Sequence, residues 1–133
     1  MSLDARTVTR GDVAVVYLSG AILFGEESAS LRSRVRDLLN QSNHIVLDLK
    51  EVGYIDSGGL GTLVALYASA RKVGGEIKLS RLGPRANEVM QITKLMTIFD
   101  VYDDVDAAVH LLTAYRRNRE VPLERLPSSS RVR

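Results

Sequence analysis

The segment from Asp56 to Gly61 is the stretch of the sequence in which residue types and spacing point to chemistry. It places the Ser57 hydroxyl between the Asp56 carboxylate and the pair Gly58 and Gly59, directly before a helical pattern. A helix N-terminus offers free N–H groups and a positive partial charge. A phosphate on Ser57 would therefore be tolerated there without unfolding the chain. We interpret Ser57 as a candidate phosphoacceptor, and Asp56, Gly58, Gly59, Leu60 and Gly61 as the candidate partner-binding loop and helix start.

A structural interpretation of the same residues stays open beside this one. Asp56 or Ser57 would cap the helix, and Gly58 and Gly59 would let the backbone pass close to a neighbouring strand. Each interior helical Gly is less favourable than Ala by about 1 kcal/mol. A close backbone contact, or the approach of a partner or a phosphate, must therefore compensate for the two glycines.

The small number of reactive side chains excludes several kinds of catalytic and metal site. The chain of 133 residues has no cysteine, which excludes disulfides, thiolate metal ligands and thiol nucleophiles, and His44 and His110 are its two histidines. Neither histidine has an obvious position beside Ser57, so we expect a structural or surface role for each. We expect that the chain is not an enzyme and has no metal site and no cofactor.

Two known loop motifs do not fit the segment. A phosphate-binding Walker loop needs Lys and then Ser or Thr after its last glycine, whereas Gly61 is followed by Thr62 and Leu63. A nucleophile elbow needs Gly two residues before and two after the serine, and these positions hold Ile55 and Gly59. A small nucleotide-binding protein or enzyme remains an alternative, because the segment follows a predicted strand, where α/β proteins bind ligands.

Strand and helix patterns alternate along the chain, with short links between them. This alternation predicts an α/β fold with one domain, in which a mixed, largely parallel sheet of about five strands is entered by a hairpin and covered by about four helices. The hairpin turn is Gly11-Asp12, and Gly74-Gly75 ends the second helix. The predicted strands are Arg6 to Arg10, Val13 to Leu18, His44 to Leu49, Glu76 to Leu82 and Ile98 to Tyr102. The predicted helices are Glu26 to Gln41, a second helix with its pattern at Leu60 to Ala68, a third that starts at Pro84, and Val105 to Tyr115.

Charge divides the chain into a domain over residues 1–115 and a basic C-terminal tail over 116–133. The first part carries 12 Lys or Arg against 14 Asp or Glu, whereas the tail carries six Arg against two Glu. The tail has no aromatic residue to stack on bases, so we expect a flexible tail and no direct nucleic-acid binding. No apolar run reaches the roughly 18 residues of a membrane span, and the N-terminus is unlike a signal peptide, so we expect a cytoplasmic protein.

The runs Ile45 to Leu49, Val52 to Gly61 and Gly74 to Leu79 resemble the STAS domain of bacterial anti-sigma factor antagonists, and the resemblance covers residues 5 to 115. In that family, the serine after the Asp of an Asp-Ser-Ser-Gly-Leu-Gly type of motif is phosphorylated by a kinase that is also the anti-sigma factor. That position matches Ser57. The resemblance implies that the unmodified form binds this kinase, which supplies ATP and Mg²⁺, and frees a sigma factor, while a serine phosphatase restores it.

The chain departs from the family pattern at two positions. Gly58 replaces the second serine of the motif, and Leu23 occupies the acidic position that often follows the second strand in this family. Leu23, Phe24 and Gly25 form a candidate interface, in which the two apolar side chains contact a partner or pack into the core. A STAS scaffold that is never phosphorylated, or a regulatory subunit of a sensory or transport complex, is the alternative within the family. The sequence leaves a homo-oligomer open.

Overall fold

The chain enters the fold through an antiparallel hairpin. In the computed structural model, which describes residues 2–117, β1 (Leu3–Arg10) pairs with β2 (Val13–Ile22), with Arg10 opposite Val13. Gly11 has φ +63°, a left-handed conformation that a two-residue hairpin turn requires of its first residue when the turn is of type II′. The predicted Gly11-Asp12 hairpin is confirmed.

Helices and parallel strands then alternate, and the strands lie side by side in chain order. β2, β3, β4 and β5 are mutually parallel, and β1 is the antiparallel edge. The predicted α/β class, with five strands and four α-helices in the described residues, is confirmed. The remaining elements are α1 (Glu26–Leu39), β3 (His44–Ile55), α2 (Ser57–Lys72), β4 (Glu76–Ser80), α3 (Pro84–Ile92), a 3₁₀ turn (Leu95–Thr97), β5 (Val101–Tyr102) and α4 (Val105–Arg117).

Hydrophobic cores lie on both faces of the sheet. On one face, α1, α2 and α3 pack against alternate residues of the strands, and Leu31 of α1, Leu63 of α2 and Leu47 of β3 are buried in one cluster. On the other face, α4 packs against the strands in a second cluster, which contains Val109 of α4 and Val46 of β3. Because both faces are covered, the first parts of β2 and β3 contain continuous apolar runs, Val13 to Val16 and Ile45 to Leu47, rather than alternating patterns. None of the helices in the described part of the chain is both long enough and apolar enough to span a membrane.

Five predicted strand boundaries were wrong, each because a contact distant in sequence or a backbone turn sets the limit. β1 begins at Leu3 rather than Arg6, because Leu3 pairs with Gly20, and β2 continues to Ile22 rather than Leu18. β3 continues to Ile55, because Ile55 pairs with Ile22 of β2. β4 ends at Ser80, because Arg81 has φ +52° and leaves the extended conformation. β5 begins only at Val101, because the N–H groups of Ile98 and Phe99 bond back to the carbonyl of Leu95 at the start of the preceding 3₁₀ turn. The predicted tail lies outside the described residues from 118 onward.

Candidate functional site

The candidate site lies where β3 ends and α2 begins. Asp56 is the N-cap residue in extended conformation, and Ser57 is the first residue of α2. The side chain of Ser57 is exposed, and its hydroxyl forms no hydrogen bond with any other described residue. The hydroxyl is therefore open to a protein partner at the N-terminal end of a sixteen-residue helix.

Asp56 connects this helix start to the loop between β2 and α1. One carboxylate oxygen accepts a hydrogen bond from the Gly59 N–H at 2.7 Å, and both oxygens lie 3.1 Å from the Phe24 nitrogen. The Asp56 N–H in turn donates to the carbonyl of Ile22 at 3.2 Å. The N–H groups of Gly59 and then Phe24 hold the pKa of Asp56 below its ordinary value of 3.8, because they stabilise the ionised carboxylate. Asp56 is thus a poor proton acceptor and an anchor for two segments.

The three glycines of the segment have three different environments. A Cβ at position 59 would overlap the carbonyl of Ile22, so Gly59 allows α2 to start in direct contact with β2. A Cβ at position 58 would overlap the side chain of Phe24. A Cβ at position 61 would meet no atom within 4 Å. The close approach of α2 to the backbone of β2 therefore explains why position 59 is glycine. At position 58, glycine leaves room for the side chain of Phe24.

The loop from Leu23 to Gly25 lies beside Ser57, as a candidate interface should. Phe24 is 80 % exposed, so the hypothesis that it packs into the core was wrong. Leu23 is partly exposed, and its carbonyl accepts hydrogen bonds from the N–H and the hydroxyl of Ser28 at 3.0 and 2.6 Å. Gly25, with φ +106°, precedes the first residue of α1. The loop thus presents an aromatic ring on a backbone that is fixed at both ends.

Tyr54 and Arg85 also lie at this end of the molecule, and neither was predicted from the sequence as a site residue. Tyr54 precedes the last residue of β3 and is 36 % exposed, and the guanidinium of Arg85 lies 5.4 Å from the centre of its ring. This distance is typical of a cation–π contact. The available signal in the sequence was an aromatic residue two positions before Asp56. The partner of its ring could not be read there, because Arg85 belongs to α3.

The arrangement offers a hydroxyl for modification but little to activate it. Asp56, the adjacent carboxylate, is committed to backbone N–H groups. His44 lies at the beginning of β3, at the opposite end of the strand from Ser57, and His110 lies on α4. The described residues contain no group of three or more His, Asp or Glu side chains that could hold a metal ion. Among the described residues, the Ser57 hydroxyl therefore has no hydrogen-bonded base beside it.

Two comparisons of the sequence find similar proteins over most of the chain. The family model described as "STAS domain" matches residues 4–108. An anti-sigma F factor antagonist from Paenibacillus polymyxa is 30 % identical over 114 residues, which cover 84 % of this chain and 97 % of the relative. The residues matched by the family model thus include the hairpin, the segment from Asp56 to Gly61, and α4 up to Ala108.

Solved structures with the same fold include an anti-sigma factor antagonist. The crystal structure of an anti-sigma factor antagonist from Mycobacterium paratuberculosis has a TM-score of 0.72 at 25 % identity, and the match covers 84 % of this chain and 95 % of that one. The Bacillus cell fate determinant SpoIIAA, solved in its phosphorylated form, has a TM-score of 0.62 at 18 % identity over 83 % and 99 % of the two chains. The second match is evidence for the fold alone.

Proposed function

The chain belongs to the STAS domain family, and we propose that it acts there as a cytoplasmic anti-sigma factor antagonist whose binding surface is switched off by phosphorylation of Ser57. The observation that carries this proposal is the exposed Ser57 hydroxyl, which lies at the start of α2 beside the anchored Phe24 loop. The partner is a serine kinase that is itself the anti-sigma factor. Binding of the unmodified chain to this kinase releases a sigma factor.

In this proposal the partner kinase supplies ATP, Mg²⁺ and the base, because phosphoryl transfer needs positioning and charge neutralisation. The Ser57 oxygen bonds to the γ-phosphorus of ATP, the bond from that phosphorus to the ADP oxygen breaks, and the serine proton passes to a base of the kinase. The role of this chain is to present the hydroxyl on a surface whose backbone is held by Asp56. A serine phosphatase then hydrolyses the phosphate ester and restores the hydroxyl.

The switch follows from the charge of the phosphate. A phosphoserine carries about −1.5 to −2 charges at neutral pH, and burying it in a protein interface is unfavourable unless cations meet it. The N-terminal end of α2 tolerates this charge within the chain itself. Phosphorylation should therefore release the partner and leave the fold unchanged. Phe24 supplies the apolar part of the interface, since aromatic side chains are enriched at the centres of such surfaces.

The phosphorylation step is tested with the kinase that co-purifies with the chain from its native cell. The full chain is incubated with this kinase, ATP and Mg²⁺, and its intact mass is measured. We expect one added phosphate on the wild type and on Ser30→Ala, a control at an exposed serine of α1, and none on Ser57→Ala. Phosphate on Ser57→Ala, or none on the wild type, would contradict the assignment of Ser57.

The switch step is tested by titrating the same kinase with the two forms of the chain. We expect the phosphorylated chain to bind at least about tenfold more weakly than the unmodified chain, because the new charges must lose their water at the interface. Phe24→Ala should weaken the unmodified complex by a similar factor, since the ring is exposed in the free chain. Equal affinities of the phosphorylated and unmodified forms would contradict a switch at Ser57.

Leu23 favours one alternative within the family. An apolar side chain at this loop position removes a charged contact that the family often uses, and this fits a scaffold or regulatory subunit that is never phosphorylated. The two proposals differ in the mass experiment, because a scaffold would bind its partner and gain no phosphate.

A further inference from the structure

We propose that β1 is a docking edge at which a second copy of this chain adds its own β1 in antiparallel orientation. β1 is the outermost strand of the sheet, and among the residues from 2 to 117 it pairs only with β2. It runs for eight residues without a proline. A free edge of that length offers a row of N–H and C=O groups to another strand. This proposal does not depend on the role of Ser57.

The pairing of β1 with β2 determines which N–H and C=O groups of β1 are left for another strand. Arg10 and Val13 flank the two-residue turn, and residues in that position form a hydrogen-bonded pair. At the other end of the hairpin, the Ala21 N–H donates to the carbonyl of Ser2 at 2.9 Å. Both observations show that the even-numbered residues of β1 bond to β2. The backbone groups that point away from β2 therefore belong to Leu3, Ala5, Thr7 and Thr9.

Side-chain charges select one register for the new pair of strands. When Thr7 lies opposite Thr7 of the second copy, the outward groups of the two strands meet, and Asp4 lies opposite Arg10 of the second copy, twice by symmetry. A pairing centred on Arg6 would instead oppose two Arg6 side chains, and a pairing centred on Val8 would oppose Arg6 to Arg10. Like charges directly opposite are destabilising, which disfavours these two pairings. A pairing centred on Ala5 would oppose Asp4 to Arg6, but it joins only residues 3–7 of β1, whereas the Thr7-centred pairing joins residues 4–10. The Thr7-centred register is therefore favoured, because it forms the longer ladder without opposing like charges.

The charged side chains of β1 are already placed for this register. The guanidinium of Arg6 lies 4.5 Å from the centre of the Tyr17 ring, which keeps it on its own chain. Arg10 lies 2.8 Å from Asp106, and a guanidinium has enough N–H donors for a second carboxylate. Asp4 is exposed and forms no ion pair within the described part of the chain. The acidic member of the new pair is therefore unpaired before association.

The opposite face of the edge is compatible with close approach. The hydroxyl of Thr7 accepts a hydrogen bond from Arg34 of α1 at 3.3 Å, in a shallow cleft also lined by Ser30, Ser33 and Asp37. A two-fold axis through Thr7 brings the two α1 helices side by side. The serines are small, and Arg34 and Asp37 carry opposite charges one helical turn apart. This face of each α1 helix therefore carries both signs of charge, so two copies can approach without net repulsion between their helices.

Amide hydrogen exchange of the full chain at two concentrations tests the edge directly. The amides of Asp4, Arg6 and Val8 bond to β2 and should be protected at every concentration. The amides of Ala5, Thr7 and Thr9 should exchange fast when the chain is dilute, at about 10 µM, and at least about tenfold more slowly near 1 mM, a range that suits a small interface. Association with unchanged exchange at Ala5, Thr7 and Thr9, or their protection in the monomer, would overturn the proposal.

Sedimentation equilibrium of charge variants tests the register. Asp4→Arg and Arg10→Asp should each weaken association by about tenfold, and the double variant should return it to within about threefold of the wild type, because the opposite charges are exchanged. Thr9→Pro should abolish association and its matched control Thr9→Ala should keep it, because only proline removes the outward N–H. A monomer at 1 mM, failure of the double variant to restore association, or equal behaviour of the two Thr9 variants would each overturn the proposal.

Discussion

Both carboxylate oxygens of Asp56 lie 3.1 Å from the backbone nitrogen of Phe24, in a loop that precedes Asp56 by a whole helix and strand. One of these oxygens also accepts the N–H of Gly59 at 2.7 Å. A single side chain therefore fixes the end of β2 to the first turn of α2. As a result, the exposed ring of Phe24 and the hydroxyl of Ser57 belong to one surface.

The first prediction concerns the pH dependence of this link. The pKa of Asp56 in the folded chain lies below 3.8, its ordinary value, so the ionised carboxylate contributes stability above that pH and loses it as the pH falls through the folded pKa. Urea denaturation should show the wild type more stable than Asp56→Asn at neutral pH. The difference should shrink below about pH 3.8. A difference that stays constant down to about pH 2 would contradict the role of the charge.

The second prediction separates two glycines of one helix. Gly59→Ala should lower the free energy of unfolding by about 2 kcal/mol or more, because its Cβ would overlap the carbonyl of Ile22. Gly61→Ala, the matched control, should raise it by up to about 1 kcal/mol, because that Cβ enters open space in a helix. Denaturant unfolding of both variants measures the two values. Changes of the same sign would contradict the close approach of α2 to β2.

The third prediction concerns the contact between Gly58 and Phe24. Gly58→Ser would restore the second serine of the family motif, but its Cβ would overlap atoms of the Phe24 side chain. We expect it to cost about 1–3 kcal/mol in the wild type and clearly less in a Phe24→Gly background, which removes all of those atoms. A double-mutant cycle by urea denaturation should give a coupling of at least about 0.5 kcal/mol. Additive effects would show that the two positions are independent.

The fourth prediction concerns an ion pair between Asp48, which lies within β3, and Arg81, which directly follows β4. The Asp48 carboxylate is 2 % exposed and accepts hydrogen bonds from Arg81 at 2.7 and 3.0 Å and from Ser80 at 2.9 Å. Arg81→Ala should cost about 3 kcal/mol or more, because it leaves a buried carboxylate without its cation. Asp48→Asn should cost less, because the Arg81 side chain is 33 % exposed and can reach water. Denaturant unfolding that ranks the two variants in the reverse order would contradict this asymmetry.

Local signals along the chain predicted much of the fold. The Gly11-Asp12 turn and the Gly74-Gly75 helix end each depend on a conformation that glycine adopts easily, and Gly11 and Gly74 do have positive φ angles. The apolar runs of β2 and β3 predicted buried parallel strands because such strands are covered on both faces. The position of Ser57 at the start of a helix could be predicted because the capping signal and the helical pattern are adjacent in the sequence.

What the sequence determined by itself was therefore the order of the elements, their class and the location of a serine at the capped start of α2, because these depend on backbone preferences and periodicity over a few residues. Only the tertiary structure decided why Gly58 and Gly59 are both glycines, that Phe24 stays outside the core, and which backbone groups of β1 face outward. Each of these depends on atoms from segments far apart in the chain. Steric overlap and hydrogen-bond phase are properties of that spatial arrangement, and residue types in sequence order do not contain them.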